Sequence, residues 1–376
     1  MYRFKTVLLL VYTLLFIANQ SWAQNGSKDI SLKEAFVGKF DIGAAINLNQ
    51  IYGRDEKATA LIASQFNSIT AENSMKAMYL QANEGEFNFK DADRFVELGE
   101  KYGLRLIGHT LIWHSQAPHW FFIDKDFKDV SREVLIERMR KHVQTVVSRY
   151  KGRIKGWDVV NEAILDNGDW RQSKFYNIIG EDFIELAFQF AHEADPNAEL
   201  YYNDFSMFQK GKREGVMRMV RNLQEKGVKI HGIGMQGHLG LDYPAVSAFE
   251  ESILAYSKLG VKVMVTELDI SVLPMPGPSH GAEISTIYKY DKTLNPYAEG
   301  LPTEVESKLE SRYKEFFALF LKHHDKIDRV TLWGVRDADS WKNNWPVRGR
   351  TDYPLLFDRN YQAKPFVKDI VEMAKE

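Results

Sequence analysis

Trp157-Asp158-Val159-Val160-Asn161-Glu162-Ala163 is a short β-branched run that ends abruptly in Asn161 and Glu162. A brief apolar run of this kind reads as a strand buried on both faces. Its polar residues therefore lie where the strand surfaces from a core, and side chains there need partners or a task. A hydrogen-bonded Asn and a surface Glu closing an ordinary strand would satisfy that need structurally. Further along, however, Val263-Met264-Val265-Thr266 runs straight into Glu267. Two strands that each deliver one glutamate bring a pair of carboxyl groups to one place, the arrangement that acid–base and nucleophilic chemistry requires.

Working outward, short apolar runs alternate with amphipathic helical stretches. Strands are expected at Asp41 to Ile46, Ser68 to Ala71, Arg105 to His109, Ile154 to Val160, Glu199 to Asn203, Gly232 to Gln236, Lys262 to Glu267 and Val330 to Trp333. Helices are expected between and after them, at about Asp55 to Gln65, Lys90 to Tyr102, Ser131 to Tyr150, Glu181 to Ala194, Gly211 to Lys226, Tyr243 to Lys258, Thr303 to His324 and Ala363 to Lys375. The stretch from Ser131 places Val134, Leu135, Met139, Val143, Val146 and Val147 at three- and four-residue steps, the spacing of one helix face. Gly103, Gly227 and Gly260 each follow a helix and precede a strand, as C-terminal caps do.

Strict strand–helix alternation predicts a parallel sheet, and eight such units suffice to close it into a (β/α)8 TIM barrel. A doubly wound open sheet is the alternative, but it gathers its functional residues at one crevice. Here Asn73, His109, Glu162, Asn203, Gln236, Glu267 and Trp333 lie at or just beyond successive strand ends. In a barrel those positions converge on one face. The expected organisation is a single catalytic domain from 24 to 376, preceded by a signal peptide at 1 to 23: Arg3 and Lys5, an apolar run from Val7 to Ala18, and Ser21-Trp22-Ala23 as a cleavage site. That reading predicts an exported protein, secreted or periplasmic, with no stable membrane insertion after processing.

Composition narrows the chemistry. The chain has no cysteine, which excludes disulfides, thiol nucleophiles and cysteine-ligated zinc. A net charge of −2 offers nothing to nucleic acid. Aromatic residues make up 13% of the chain, enough both to fill a core and to furnish stacking platforms for sugar rings. Gly232-Ile233-Gly234-Met235-Gln236-Gly237 fits a dinucleotide-binding pattern, but it lies within a strand and does not open a helix. His109 and His114 lack the spacing of a metal helix, so neither a metal nor a cofactor is expected.

Cleaving a glycosidic bond takes a proton for the departing oxygen and a partner for the cationic transition state. Glu162 and Glu267 can supply both. A nucleophile must stay ionised, which nearby donors favour, whereas an acid must keep its proton, which desolvation and a neighbouring carboxylate favour. Glu162 suits the acid. Glu267 suits the nucleophile, with His238 and Gln236 as candidate donors.

Five motifs stand in order at strand ends: Thr70-Ala71-Glu72-Asn73-Ser74-Met75-Lys76, Gly108-His109-Thr110-Leu111-Ile112-Trp113-His114, Trp157 to Ala163, Gly234-Met235-Gln236-Gly237-His238 and Val265-Thr266-Glu267-Leu268-Asp269-Ile270. In these the chain resembles family-10 glycoside hydrolases, the endo-β-1,4-xylanases, from about Leu32 to Lys375. The resemblance implies a retaining double displacement on xylan or xylo-oligosaccharides, with Glu162 as acid/base and Glu267 as nucleophile. It also implies that Asn161 bonds the 2-hydroxyl of the scissile sugar and that His238 orients Glu267. Lys76, Asn73, His109 and Gln236 would grip the sugar on the non-reducing side, Trp113, Trp333 and Trp341 would cage it, Glu72 would brace that network, and Tyr202 with Asn203 would contribute from the fifth strand. A tight indole cage suits xylose, which lacks the hydroxymethyl group of glucose. The sequence departs from the family pattern at Phe205-Ser206, where Tyr-Asn is common, and in a long proline-bearing loop between the seventh strand and its helix, at about 271 to 302. That loop leaves the active face beside Glu267 and is expected to wall the cleft.

Overall fold

The computed structural model describes residues 31–277 and 283–376; the expected signal peptide lies outside them. The expected strands form at β1 (Asp41–Ile46), β2 (Ser68–Ala71), β3 (Arg105–Trp113), β4 (Gly156–Asn161), β5 (Glu199–Asp204), β6 (Gly232–Met235), β7 (Lys262–Ser271) and β8 (Ile327–Leu332). All neighbours pair in parallel in chain order, and β8 pairs with β1. The sheet is therefore a closed (β/α)8 barrel, and the open-sheet alternative fails at that β8–β1 seam.

Two strands outrun their expected ends by four residues. β3 continues past His109 to Trp113, with its register against β4 shifting between His109 and Ile112. β7 continues past Glu267 to Ser271 because a three-residue continuation of β6, His238–Gly240, pairs His238 with Asp269 and Leu239 with Ile270. A charged residue ended the apparent apolar run at Glu267, yet the Leu268-Asp269-Ile270 alternation carries the strand onward. Glu267 thus sits inside a paired strand and not at a loose end.

The main core lies between the sheet and its helices, while Ile107, Tyr201 and Met264 form a separate cluster. Tyr201 fills its space so closely that a Cβ on Gly156 would come within 2.4 Å of its ring. The helix Arg132–Arg149, capped by Ser131, buries Leu135, Met139, His142, Val143, Val146 and Val147. Val134, expected on that face, is 42% exposed. It precedes Leu135 by one residue, about 100° round the helix, and so falls outside the buried stripe. Gly103 closes the helix Lys90–Tyr102 at φ 63°, a conformation only glycine takes without cost.

Candidate active site

Because the strands are parallel, their C-terminal ends open on one face. There Glu72, Asn73, Lys76, His109, Trp113, Asn161, Glu162, Gln236, His238, Glu267, Trp333 and Trp341 line a cleft of about 310 Å3, joined by Gln116, Ile284, Asn344 and Trp345. A larger cavity, about 490 Å3, lies between the helix Thr303–Lys322 and the C-terminal segment. Its lining includes neither Glu162 nor Glu267 nor any of the expected strand-end residues, so size alone does not mark the site.

Glu267 is 5% exposed, and burial by itself would favour its neutral form. Its Oε2 lies 3.1 Å from His238 Nε2, and Asn203 Nδ2 donates to Oε1 at 2.8 Å. Those contacts and the His238 charge outweigh burial and hold its pKa below the ordinary value. His238 Nδ1 in turn lies 2.9 Å from Asp269 Oδ2, which also accepts from Trp341 Nε1 at 2.8 Å. A neutral imidazole carries one N–H, so donating to both carboxylates requires the imidazolium. Burial opposes that charge, but Asp269 overcomes the penalty and the His238 pKa is raised.

Glu162 meets the opposite environment. Burial pushes its carboxyl up to about 7, with Asp204 and Glu267 adding in the same direction. Three donors resist the shift: Gln236 Nε2 at 2.9 Å and Asn161 Nδ2 at 3.1 Å on Oε1, and Trp113 Nε1 at 2.8 Å on Oε2. The Glu162 backbone has φ 61°, a left-handed conformation that costs a non-glycine residue about 1–3 kcal/mol. Its N–H donates to Asn203 O at 2.9 Å, and its carbonyl accepts from Arg171 Nε at 2.8 Å. Both flanking peptides are thus held, which fixes the direction of the side chain.

Asn203 links the two glutamates. Its Nδ2 donates to Asn161 Oδ1 at 2.9 Å as well as to Glu267, and its Oδ1 accepts from Thr266 Oγ1 at 2.6 Å. Gly234 makes room for it, since a Cβ there would fall 2.4 Å from Asn203 Oδ1. Around the rim, His109 Nδ1 pairs with Asp158 at 2.9 Å, leaving Nε2 toward the cleft. Lys76 Nζ donates to Asn73 at 2.9 Å and sits 4.9 Å from the Trp113 ring. Trp341 and Trp345 stack at 4.6 Å, with Lys342 Nζ 4.4 Å from the Trp341 ring. This arrangement, one carboxylate held ionised and one carboxyl held near neutrality among indoles and amides, can donate a proton and attack a carbon in the same cleft.

The sequence model of Glycosyl hydrolase family 10 matches residues 31–373. The chain belongs to this family. Endo-1,4-beta-xylanase A of Xylanibacter ruminicola is 50% identical over 343 residues, 91% of this chain and 93% of that protein. A family 10 endoxylanase retrieved from a sugarcane soil metagenome superposes with a TM-score of 0.89 at 44% identity, covering 91% of this chain and 100% of that one. An intracellular xylanase from Thermoanaerobacterium saccharolyticum, solved as a mutant in complex with xylotriose, gives 0.78 at 36% identity over 93% of this chain and 99% of that one.

Within this family 10 glycoside hydrolase, three expected residues behave differently from their sequence-based roles. Tyr202 does not face the cleft. It is fully buried, and its hydroxyl donates to Asp204 and accepts from the N–H groups of Ala163 and Ile164 at 3.0 and 3.1 Å, fixing the turn after Glu162. Asn203 is also fully buried and serves the glutamates, with no surface left for a sugar. Gln236, expected beside Glu267, bonds Glu162 through its side chain and Glu267 only through its backbone carbonyl. The supporting acids Asp158, Asp204 and Asp269 are not among the expected site residues, although Asp269 stands in the fifth motif; Trp345, on the same segment as Trp341, joins it in the cleft wall.

Carbon-13 NMR of labelled glutamate carboxyls should show Glu162 titrating near 7 and Glu267 below the ordinary carboxyl range. Gln236→Leu removes a donor that favours the carboxylate, so the Glu162 midpoint should rise. A midpoint that stays or falls contradicts the environment described.

Proposed function

We propose that the protein hydrolyses internal β-1,4-xylosidic bonds of xylan by a retaining double displacement. The observation that carries this reading is the opposed protonation bias of Glu162 and Glu267 in one cleft. Glu267 attacks the anomeric carbon while Glu162 gives its proton to the leaving oxygen, producing a glycosyl ester and a shortened chain. Glu162, now a carboxylate, takes a proton from water as that water attacks the anomeric carbon, breaking its bond to the Glu267 oxygen; the sugar leaves with a new reducing-end hydroxyl and both groups return to their starting states. The similar proteins named above as xylanases, one of them solved with xylotriose, support xylose as the sugar.

Asn161, which already directs its amide at Glu162, is assigned to the 2-hydroxyl of the scissile sugar, where hydrogen bonds strengthen in the transition state. Asn73, Lys76, His109 and Gln236 offer the polar contacts on the non-reducing side, with Glu72 bracing them. Trp113, Trp333 and Trp341 form the apolar walls. Walls of this kind reject an added hydroxymethyl group only modestly, so turnover of β-glucans should be weak and not zero.

Glu162→Ala should lower kcat/KM on xylan by about 10²–10⁴-fold. A dinitrophenyl β-xylobioside should suffer far less, because its leaving group departs without a proton. Glu267→Ala should abolish turnover of both, and turnover retained by a folded variant would remove Glu267 from the nucleophile role. Export is proposed from the N-terminal sequence alone, and a mature chain beginning at Gln24 is its expected readout by N-terminal sequencing; an unprocessed chain in the exported fraction would contradict the cleavage site.

A further inference from the structure

In the closed order β1 to β8, strands β3 and β4 lie four places from β7 and β8, on the opposite side of the barrel mouth. Residues 283–288, which follow β7, have contacts on both sides. Tyr288 N–H donates to Pro346 O at 2.8 Å, and Tyr288 pairs with Val347, both in the segment after β8. At the other end of this short stretch, the Glu283 carboxylate accepts from Arg171 Nη1 at 2.7 Å and lies 3.9 Å from His114 Nε2. Those two partners stand on the loops after β4 and β3. Ile284, beside Glu283 in the chain, lines the catalytic cleft.

The far anchor is a fixed post. Arg171 Nε holds the Glu162 carbonyl, its backbone N–H donates to Ala163 O at 2.8 Å, and its guanidinium lies 5.8 Å from the Phe205 ring. The near anchor is equally tied, since Arg350 donates to Pro274 O, Thr351 N–H to Asn295 and Tyr353 to Tyr297 O, stitching the loop to the C-terminal segment. Between them, among the described residues, the hydrogen-bonded ion pair of Glu283 with Arg171 joins the stretch to the far side of the mouth. Its ion pair with Arg171 is sheltered, with side chains 15% and 30% exposed.

We propose that residues 283–288 form a strap across the cleft and that the Glu283–Arg171 ion pair is its clasp, favouring short xylo-oligosaccharides over long xylan chains. The inference rests on the xylanase reading above. A chain can settle sideways into an open groove at any point along its length. Beneath a clasped strap it must enter by an end, or wait until the ion pair parts, and that delay grows in importance as chains lengthen and ends become scarce. Internal cleavage of polymer then belongs to the unclasped form, while a short oligosaccharide reaches the glutamates in either form.

The test compares kcat/KM on high-mass linear xylan with kcat/KM on a dinitrophenyl β-xylobioside. Glu283→Ala should raise the polymer-to-xylobioside ratio about three- to five-fold, the range an incompletely buried ion pair can supply, with the xylobioside value within about twofold of the unaltered protein. Glu283→Gln, which keeps an acceptor for Arg171 and loses the charge, should fall between. A ratio unchanged in both variants overturns the clasp. A parallel loss on both substrates also overturns it, because Glu283 would then support the chemistry and not access. If the unaltered protein turned over neither substrate, the xylanase reading itself would fail, a result distinct from an unchanged ratio.

Discussion

His238 is held between two carboxylates, Asp269 and Glu267, and the site depends on the positive charge this forces on it. An imidazolium in a buried setting survives only when its counter-charges are close and well directed. Asp269 meets that demand because β7 does not stop at Glu267: the paired continuation of β6 and β7 puts His238 and Asp269 in register. Trp341 and Lys342 then converge on Asp269 from the segment after β8, so the same carboxylate that charges the histidine also seats the aromatic wall. Removing strand pairing at this point would loosen Glu267 and the Trp341 wall together.

The opposed states of the two glutamates follow from asymmetric surroundings and not from distance to solvent, since both are almost fully buried. Glu267 faces an imidazolium and an amide. Glu162 has neutral donors only, and Asp204 adds a neighbouring negative charge. Asn203 ties the pair mechanically through Asn161, while Arg171 and the Asn203 carbonyl hold Glu162 in an uncommon backbone conformation. Strain of that kind persists where surrounding bonds over-determine it, and here it seats the carboxyl among Gln236, Asn161 and Trp113.

Much of this was legible in the sequence because strand ends in a parallel barrel carry their chemistry outward. The runs Asp41–Ile46 and Ser68–Ala71 have the same bounds in the structure, and the residues just beyond the strands line one cleft. Less legible were the features set by cross-strand partners. Glu267 read as a terminus because local hydrophobicity stops there, whereas the pairing with His238–Gly240 that extends β7 is nonlocal. Tyr202 lies on its expected strand and Gln236 one residue past the end of its own, but the partners their polar atoms find depend on side chains from other strands and on shifts of register such as that between Asp158 and Val160. The loop after β7 carried no periodicity from which its anchors at Arg171 and Pro346 could be read.

In the mechanism proposed above, environment divides two chemically identical side chains into a nucleophile and a proton carrier. Following xylotriose cleavage by proton NMR before mutarotation tests this most directly, because the configuration of the first-formed product records whether Glu267 or a water molecule attacks the anomeric carbon. The β-anomer should appear first at the newly formed reducing end, with its α-anomer growing in only as that end equilibrates. First appearance of the α-anomer would mean a single inversion by water, and the division of roles between Glu162 and Glu267 set out above would be wrong.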